Sequence, residues 1–218
     1  MPQRVKDIAI LGDAGCLMKK TDSQACNDPG AWPLVTTSAT IATQKPDLTI
    51  FLGDFFYREI ACPPEQTALC GGSPAPGAVP FKDSAMGWNA DVLTPMIDAL
   101  AAAPLVVVRG NHENCNRGGN GYFIYMDPCE GTEKTCAPEL SASGDDDCVT
   151  TPSLSKLETN YRKANKLAKG SGESWLLVHR PVVAWTPADD CNPEGSWITA
   201  DQQVASYGQL GNYDLLLS

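Results

Sequence analysis

The sequence predicts an α/β fold, in which short buried strands alternate with helices in a layered sheet. Short apolar runs end abruptly at glycine or at a polar residue, as buried strands do. Between them lie stretches with apolar residues at helical spacing. A chain of 218 residues is long enough for one domain with a sizeable core. Because no internal repeat or second domain is evident, we expect a single domain over residues 1–218.

These patterns place the elements in order along the chain. The predicted strands cover residues 7–12, 48–52, 105–109, 174–178 and 213–218. The predicted helices cover residues 36–44, 88–102, 154–168 and 201–207. Pro46 ends the first helix, and Pro95 predicts a kink or a later start in the second. Loop excursions are expected at about 58–86 and 114–153, and residues 62–83 are too rich in proline and glycine for regular structure.

Charge and hydropathy exclude two classes of partner. The net charge is −10, and no cluster of Lys and Arg offers the basic face that duplex DNA requires. We therefore expect no nucleic-acid partner. No apolar run approaches the roughly 18–20 residues needed to span a bilayer, so no membrane association is expected. Part of the acidic excess fits carboxylates that bind a metal, whose charge would offset theirs.

Nine cysteines are many for a cytosolic protein of this length. No C-x-x-C spacing supports a structural zinc site. Cys16 follows a strand end, and the other eight lie in predicted loops: Cys26, Cys62, Cys70, Cys115, Cys129, Cys136, Cys148 and Cys191. Loop cysteines favour disulfides, and we expect Cys62 to pair with Cys70 and Cys136 to pair with Cys148. Scattered reduced thiols are the alternative, and the odd count leaves at least one thiol over.

Disulfides imply an oxidising compartment, periplasmic or extracellular. Residues 1–7 lack the apolar segment of a signal peptide. Either a leader has been removed or replaced, or the chain is cytoplasmic.

Polar residues that can bind metals follow four of the predicted strands. They are Asp13, Asp54, Asn111 and His179. In an open α/β sheet, ligands bind outside the carboxyl ends of the strands, so these side chains are expected at one site. Both histidines of the chain, His112 and His179, fall at such positions. An aspartate after glycine is also ordinary turn chemistry, but dispersed Asp, Asn, His and Tyr suit a site for two metal ions.

Four motifs in order resemble the calcineurin-like metallophosphoesterase superfamily, in particular its purple-acid-phosphatase-like bacterial members. That pattern is D-x-G, G-D-x-x-Y, G-N-H-[DE], V-x-x-H and G-H-x-H. The segments of this sequence that correspond to the first four motifs are Asp13-Ala14-Gly15, Gly53-Asp54-Phe55-Phe56-Tyr57, Gly110-Asn111-His112-Glu113 and Leu176-Leu177-Val178-His179. The fourth block keeps its histidine, although its first residue differs. The matches run from residue 12 to 179 and so span most of the chain.

The resemblance implies a fold, an activity and a set of ligands. The fold would be a four-layer α/β/β/α sandwich, and the activity would be hydrolysis of small phosphate esters by a hydroxide bound to two metals. Asp54 would bridge the metals, with Asp13 and Tyr57 on the first. Asn111 and His179 would bind the second. Since Tyr57 replaces the histidine of the commoner D-x-H motif, the pair would be Fe(III) and a divalent iron, zinc or manganese ion.

Four residues have alternatives that stay open. His112 would be an outer-sphere group that stabilises the transition state or protonates the leaving oxygen. Arg117 is a candidate phosphate contact, although surface solvation is the commoner role of an arginine. Glu113 is either part of the site or a turn or capping residue, and Tyr57 is either a ligand or a core aromatic residue.

The sequence departs from the family pattern at its end. The G-H-x-H motif would follow the predicted strand at 213–218, where the chain stops. We therefore expect a fold that is incomplete at its C-terminus, with weak metal binding and little hydrolysis by the 218-residue chain. The rival interpretation is a non-catalytic fragment or pseudoenzyme that keeps the fold as a binding module.

Overall fold

The computed structural model describes residues 5–18, 21–70, 81–115, 117–127, 151–169, 172–179, 211 and 213–217, with the backbone alone for 151–157. The chain divides into two compact units, Met1–Ala142 and Ser143–Ser218, and each is described by itself. No helix within the described ranges is long and apolar enough to cross a membrane.

The first unit contains three strands and several short helices in its described part. The strands are β1 (Ile8–Leu11), β2 (Leu48–Phe51) and β3 (Leu105–Val107). The helices are α1 (Leu34–Gln44), α2 (Thr67–Cys70), α3 (Ala85–Trp88), α4 (Ile97–Ala102) and α5 (Gly119–Gly121). A 3-10 turn (Pro64–Gln66) precedes α2, and π-helical turns (Asn89–Leu93 and Tyr122–Met126) continue α3 and α5.

The three strands form a parallel sheet in the order β1-β2-β3. Ile10 lies opposite Ile50, and Ile50 lies opposite Val106. Because the strands run the same way, their carboxyl ends lie at one edge of the sheet. Each strand ends one or two residues earlier than predicted. The parallel strands and intervening helices agree with the predicted α/β class, while the four-layer sandwich stays a prediction.

Helix α1 follows β1, and its end is set by local backbone chemistry. Lys45 adopts the left-handed conformation, with φ of 51°, and Pro46 follows it, so the helix cannot continue. The helix begins two residues before the predicted start. It packs against α4, where the Ser38 hydroxyl accepts a hydrogen bond from the Ala99 N–H at 3.0 Å.

The predicted helix at 88–102 is broken, as Pro95 indicates. Helix α3 passes into its π-helical turn, and α4 begins only at Ile97. The Ser84 hydroxyl caps α3 by accepting the Gly87 N–H at 3.1 Å.

The core of the first unit is aromatic and lies next to the turn that follows β2. The rings of Phe51 and Phe55 stack at 3.8 Å, and those of Phe56 and Trp88 stack at 5.4 Å. All four side chains are fully buried, and each stabilises the fold by about 1.5–3 kcal/mol. The turn that carries Asp54 is therefore attached to the core on both sides.

The expectation that residues 62–83 form no regular structure is wrong for residues 64–70. Pro64 occupies the first position of a 3-10 turn, where its missing N–H costs nothing, and α2 follows directly. A disulfide between Cys62 and Cys70 closes this helical segment, which confirms the predicted pair.

The second excursion also contains helical turns that were not predicted, α5 and its π-helical continuation. Asp83 explains them, because its carboxylate accepts the N–H groups of Asn120 and Gly121 at 2.8 and 2.9 Å. Asp83 lies 37 residues before Asn120, so no local sequence pattern indicates this cap.

A second disulfide joins Cys16 to Cys26 and was not predicted. It ties the turn after β1 to the loop that leads into α1. The expected pair Cys136–Cys148, Cys129 and Cys191 lie outside the described residues, as does the predicted helix at 201–207.

The described part of the second unit contains α6 (Thr151–Ala168) and a parallel pair of strands, β4 (Trp175–Leu177) and β5 (Leu215–Leu217). The helix begins three residues before the predicted start. Tyr161 and Leu176 are buried together, and Ala164, Val178 and Tyr213 pack around them. The Tyr213 hydroxyl donates to Asn165 Oδ1 at 2.6 Å.

Candidate functional site

The turns that follow β1 and β2 are hydrogen-bonded side by side. The Asp13 N–H donates to the Gly53 carbonyl at 3.0 Å, and the Ala14 N–H donates to the Asp54 carbonyl at 3.1 Å. The parallel ladder thus continues beyond the strands. This continuation brings the two predicted aspartates together.

Both aspartates have an uncommon backbone conformation. Asp13 has φ of 51° and Asp54 has φ of 56°. The left-handed region costs a non-glycine residue about 1 kcal/mol, and such strain persists where the surrounding structure imposes it. Asp54 is buried, whereas Asp13 is exposed, so the pair is open to solvent on the Asp13 side.

Tyr57 lies against both carboxylates. Its hydroxyl is 3.0 Å from Asp13 Oδ1 and 2.9 Å from Asp54 Oδ2. One phenolic proton thus faces two carboxylate oxygens. Burial raises the pKa of Tyr57, and the charges of Asp54 and Asp13 raise it further. The hydroxyl is placed among charged oxygens rather than in the apolar core.

Gly15 provides the space that the Tyr57 ring occupies. A Cβ atom at residue 15 would lie 2.5 Å from the Phe55 carbonyl oxygen and 2.7 Å from Tyr57 Cδ2. Any larger side chain would displace the ring. Gly15 and Tyr57 therefore form a steric pair.

The turn after β3 contacts Asp54 directly. A Cβ atom at Gly110 would lie 2.1 Å from Asp54 Oδ1, so only glycine permits this approach. The His112 N–H donates to that same oxygen at 2.9 Å. Asn111, between them, is partly buried and lies in the same turn.

His112 is packed between Tyr57 and Glu59. Its ring stacks on Tyr57 with centroids 3.9 Å apart, and its Nε2 lies 3.9 Å from Asp54 Oδ2. Its Nδ1 lies 2.5 Å from Glu59 Oε1 in an ion-pair contact, and neither atom has a hydrogen-bond partner among the described residues. This contact places Nε2 on the Asp54 side of the ring. Glu59 also holds Arg117, with Nε 3.6 Å from its other oxygen.

Glu113 has no solvent exposure and lies below the turn that carries Asp54. Each of its oxygens accepts two backbone N–H groups, from Asp54 and Gly110 on one and from Phe55 and Phe56 on the other. Burial raises the pKa of Glu113 to about 7, and the Asp54 charge adds to the rise. The hydrogen bonds act in the opposite direction. Its backbone-capping role, one of the two alternatives, is thus present in the structure.

Asp91 is a second buried carboxylate, and the sequence analysis missed it. It forms an ion pair with Arg58 at 2.9 Å and accepts the N–H groups of Cys16 and Tyr57, both at 2.8 Å. Burial raises its pKa to about 6, while Arg58 acts to lower it. One signal was present in the sequence, because Asp91 falls at helical spacing from Trp88 on the apolar stripe of its helix.

The remaining predicted residue, His179, belongs to the second unit. It comes two residues after β4 ends, in the position expected from the strand pattern.

A family model described as calcineurin-like phosphoesterase matches residues 7–218. The chain belongs to the calcineurin-like phosphoesterase family. No curated protein sequence matches the chain significantly. Membership implies metal-dependent hydrolysis of phosphate esters, and such phosphoesterases typically hold a dinuclear metal centre.

The described side chains are suited to bind a metal ion, as proteins of this family typically do. The Tyr57 hydroxyl lies about 3 Å from one oxygen of Asp13 and from one oxygen of Asp54. Oxygen donors of this kind suit hard cations.

Proposed function

We propose that this protein hydrolyses small phosphate esters at a dinuclear metal centre. The observation that supports it best is the convergence of Asp13, Asp54 and Tyr57 at the carboxyl ends of β1 and β2. Two of these residues have strained backbone conformations, as functional residues often do.

The proposed ligands divide between two metals. Asp13 and Tyr57 would hold Fe(III), Asn111 and His179 would hold a divalent iron, zinc or manganese ion, and Asp54 would bridge both. When bound, the metals would supply a water of lowered pKa and positive charge for the phosphoryl oxygens. The protein's own part is to keep the oxygen donors in place before the substrate arrives.

His112 is proposed to deliver a proton to the leaving oxygen of the ester. The Glu59 contact at Nδ1 keeps Nε2 on the Asp54 side of the ring. Stacking on Tyr57 limits rotation of the imidazole. Arg117 is proposed to assist substrate binding through its charge, held by Glu59.

The test compares Asp54→Asn with the exposed, isosteric control Asp98→Asn. Metal per chain is measured by elemental analysis, and hydrolysis is measured with an aryl phosphate. We expect the Asp54 variant to lose both metals and activity, because the bridging charge is gone, while the Asp98 variant retains both. Two tightly held metals in Asp54→Asn would refute the assignment. Wild-type protein that binds two metals yet hydrolyses no phosphate ester would favour a binding module instead.

A further inference from the structure

The turn that carries Asp54 and Tyr57 donates four consecutive backbone N–H groups to two buried carboxylates. The first three, at residues 54–56, go to Glu113 at 2.7–3.0 Å. The fourth, at Tyr57, goes to Asp91 Oδ2 at 2.8 Å. A turn normally satisfies such groups with water or with its own carbonyls. Here two side chains from distant parts of the chain do so.

Each carboxylate also joins this turn to a neighbouring one. Glu113 accepts the Gly110 N–H at 3.0 Å and so fastens the turn after β3. Asp91 accepts the Cys16 N–H at 2.8 Å and so fastens the turn after β1. Together they link the three strand-end turns that carry Asp13, Asp54 and His112.

Neither carboxylate is itself placed as a ligand, since both are fully buried and their oxygens face backbone donors. Burying a carboxylate is costly and demands compensation. In this structure the buried carboxylates hold the turn in position. Asp54 has the left-handed conformation, and Glu113 accepts its N–H and the next two.

We propose that Glu113 and Asp91 are positioning residues for the metal centre, each with its own task. Glu113 holds the Asp54 backbone in its left-handed conformation and against the turn after β3. Asp91 holds the Tyr57 backbone against the turn that follows Asp13. This inference rests on the proposed function, because it assigns a purpose to the geometry of the proposed ligands.

The variants Glu113→Gln and Asp91→Asn test the two tasks separately. In Glu113→Gln, an amide NH₂ replaces one oxygen and faces two N–H donors, so both hydrogen bonds at that oxygen are lost. We expect Zn²⁺ affinity to fall about 10–100-fold, as is typical when a hydrogen-bond partner of a ligand is removed. In Asp91→Asn, we expect iron-loaded protein to lose intensity in the tyrosinate-to-Fe(III) absorption band.

A metal-free measurement accompanies these titrations. Hydrogen exchange at the amides of residues 54–56 should accelerate at least about tenfold in Glu113→Gln, and at Tyr57 in Asp91→Asn. These amides are observed without any metal and without turnover. Altered exchange would therefore show that the carboxylates hold the turn itself.

Asp83→Asn is the matched control. Asp83 accepts the Trp88 indole N–H at 2.8 Å and two backbone N–H groups at 2.8 and 2.9 Å, so its loss removes comparable hydrogen bonds. Among the described residues, the hydrogen bonds of its side chain go to Trp88, Asn120 and Gly121 and not to the strand-end turns. We expect Asp83→Asn to lower thermal stability while Zn²⁺ affinity and exchange at residues 54–57 stay at wild-type values.

Wild-type Zn²⁺ affinity and exchange in Glu113→Gln, or an unchanged absorption band in Asp91→Asn, would overturn the corresponding assignment. If Glu113→Gln does not fold, Glu113→Asp is the variant that tests the role of Glu113. It keeps the negative charge, but its shorter side chain cannot reach the Gly110 N–H in the same way. Wild-type affinity in that variant also refutes the role of Glu113. Loss of metal in Asp54→Asn, with none of these changes, leaves the proposed function standing and removes this inference alone. Retention of metal in Asp54→Asn removes the proposed function itself.

Discussion

The contact between Glu59 and His112 predicts a dependence of activity on the leaving group. If His112 protonates the leaving oxygen, its importance rises as that oxygen becomes more basic. An alkyl phosphate needs the proton, whereas a nitrophenyl phosphate leaves well without it. Glu59→Gln keeps the size of the side chain but removes the negative charge beside His112 Nδ1. The same change removes the charge that faces Arg117, so the leaving-group dependence is what separates the two effects.

The size of the effect follows from the contact. Nδ1 and Oε1 lie 2.5 Å apart, and the two side chains are only 13% and 27% exposed, so solvent screens them incompletely. An exposed charge pair contributes about 0.2–1 kcal/mol, and the incomplete screening here raises that figure toward about 1.4 kcal/mol. A difference of about 1.4 kcal/mol corresponds to a tenfold loss of kcat. We expect that loss for an alkyl phosphate and less than about threefold for nitrophenyl phosphate.

The assay compares kcat and KM for both substrates in wild type, Glu59→Gln and the exposed control Glu65→Gln. The control should match wild type with both substrates. An equal loss on both substrates, or a change confined to KM, would refute the proposed proton delivery. The change confined to KM would instead place Glu59 in substrate binding through Arg117.

Other predictions follow from single contacts. Tyr57→Phe should abolish the visible absorption band of iron-loaded protein, and an unchanged spectrum would exclude the phenol as a ligand. Gly15→Ala should lower the free energy of unfolding by about 1–3 kcal/mol, because its Cβ would lie 2.5 Å from the Phe55 carbonyl; chemical denaturation measures this, and a neutral effect would contradict the steric pairing. Replacing Cys62 and Cys70 by serine should cost about 2–3 kcal/mol, and free thiols at both positions in non-reduced peptide maps would remove the disulfide from the account.

The sequence was most informative where structure follows from local pattern. Short apolar runs ending in Gly-Asp or Gly-Asn predicted β2 and β3 and placed Asp54 and Asn111 at strand ends. A parallel sheet then brings such positions to one edge, so Asp13 and Asp54 could be predicted as neighbours.

The supporting residues could not be predicted in the same way. Asp91 bonds residues 34 and 75 positions away, and Glu113 bonds residues 57–59 positions away. No periodicity encodes such partners, since they are fixed by the packing of different elements. The helical turns at 119–126 were missed for the same reason, because Asp83 caps them from outside.

The most direct test of the dinuclear centre is a crystal structure of protein loaded with iron and zinc, with anomalous scattering recorded at both absorption edges. The account predicts two peaks about 3.5–4 Å apart. Asp54 should contact both, Asp13 and Tyr57 should contact the iron, and Asn111 and His179 should contact the zinc. A single peak, or two peaks with Asp54 touching neither, would contradict it.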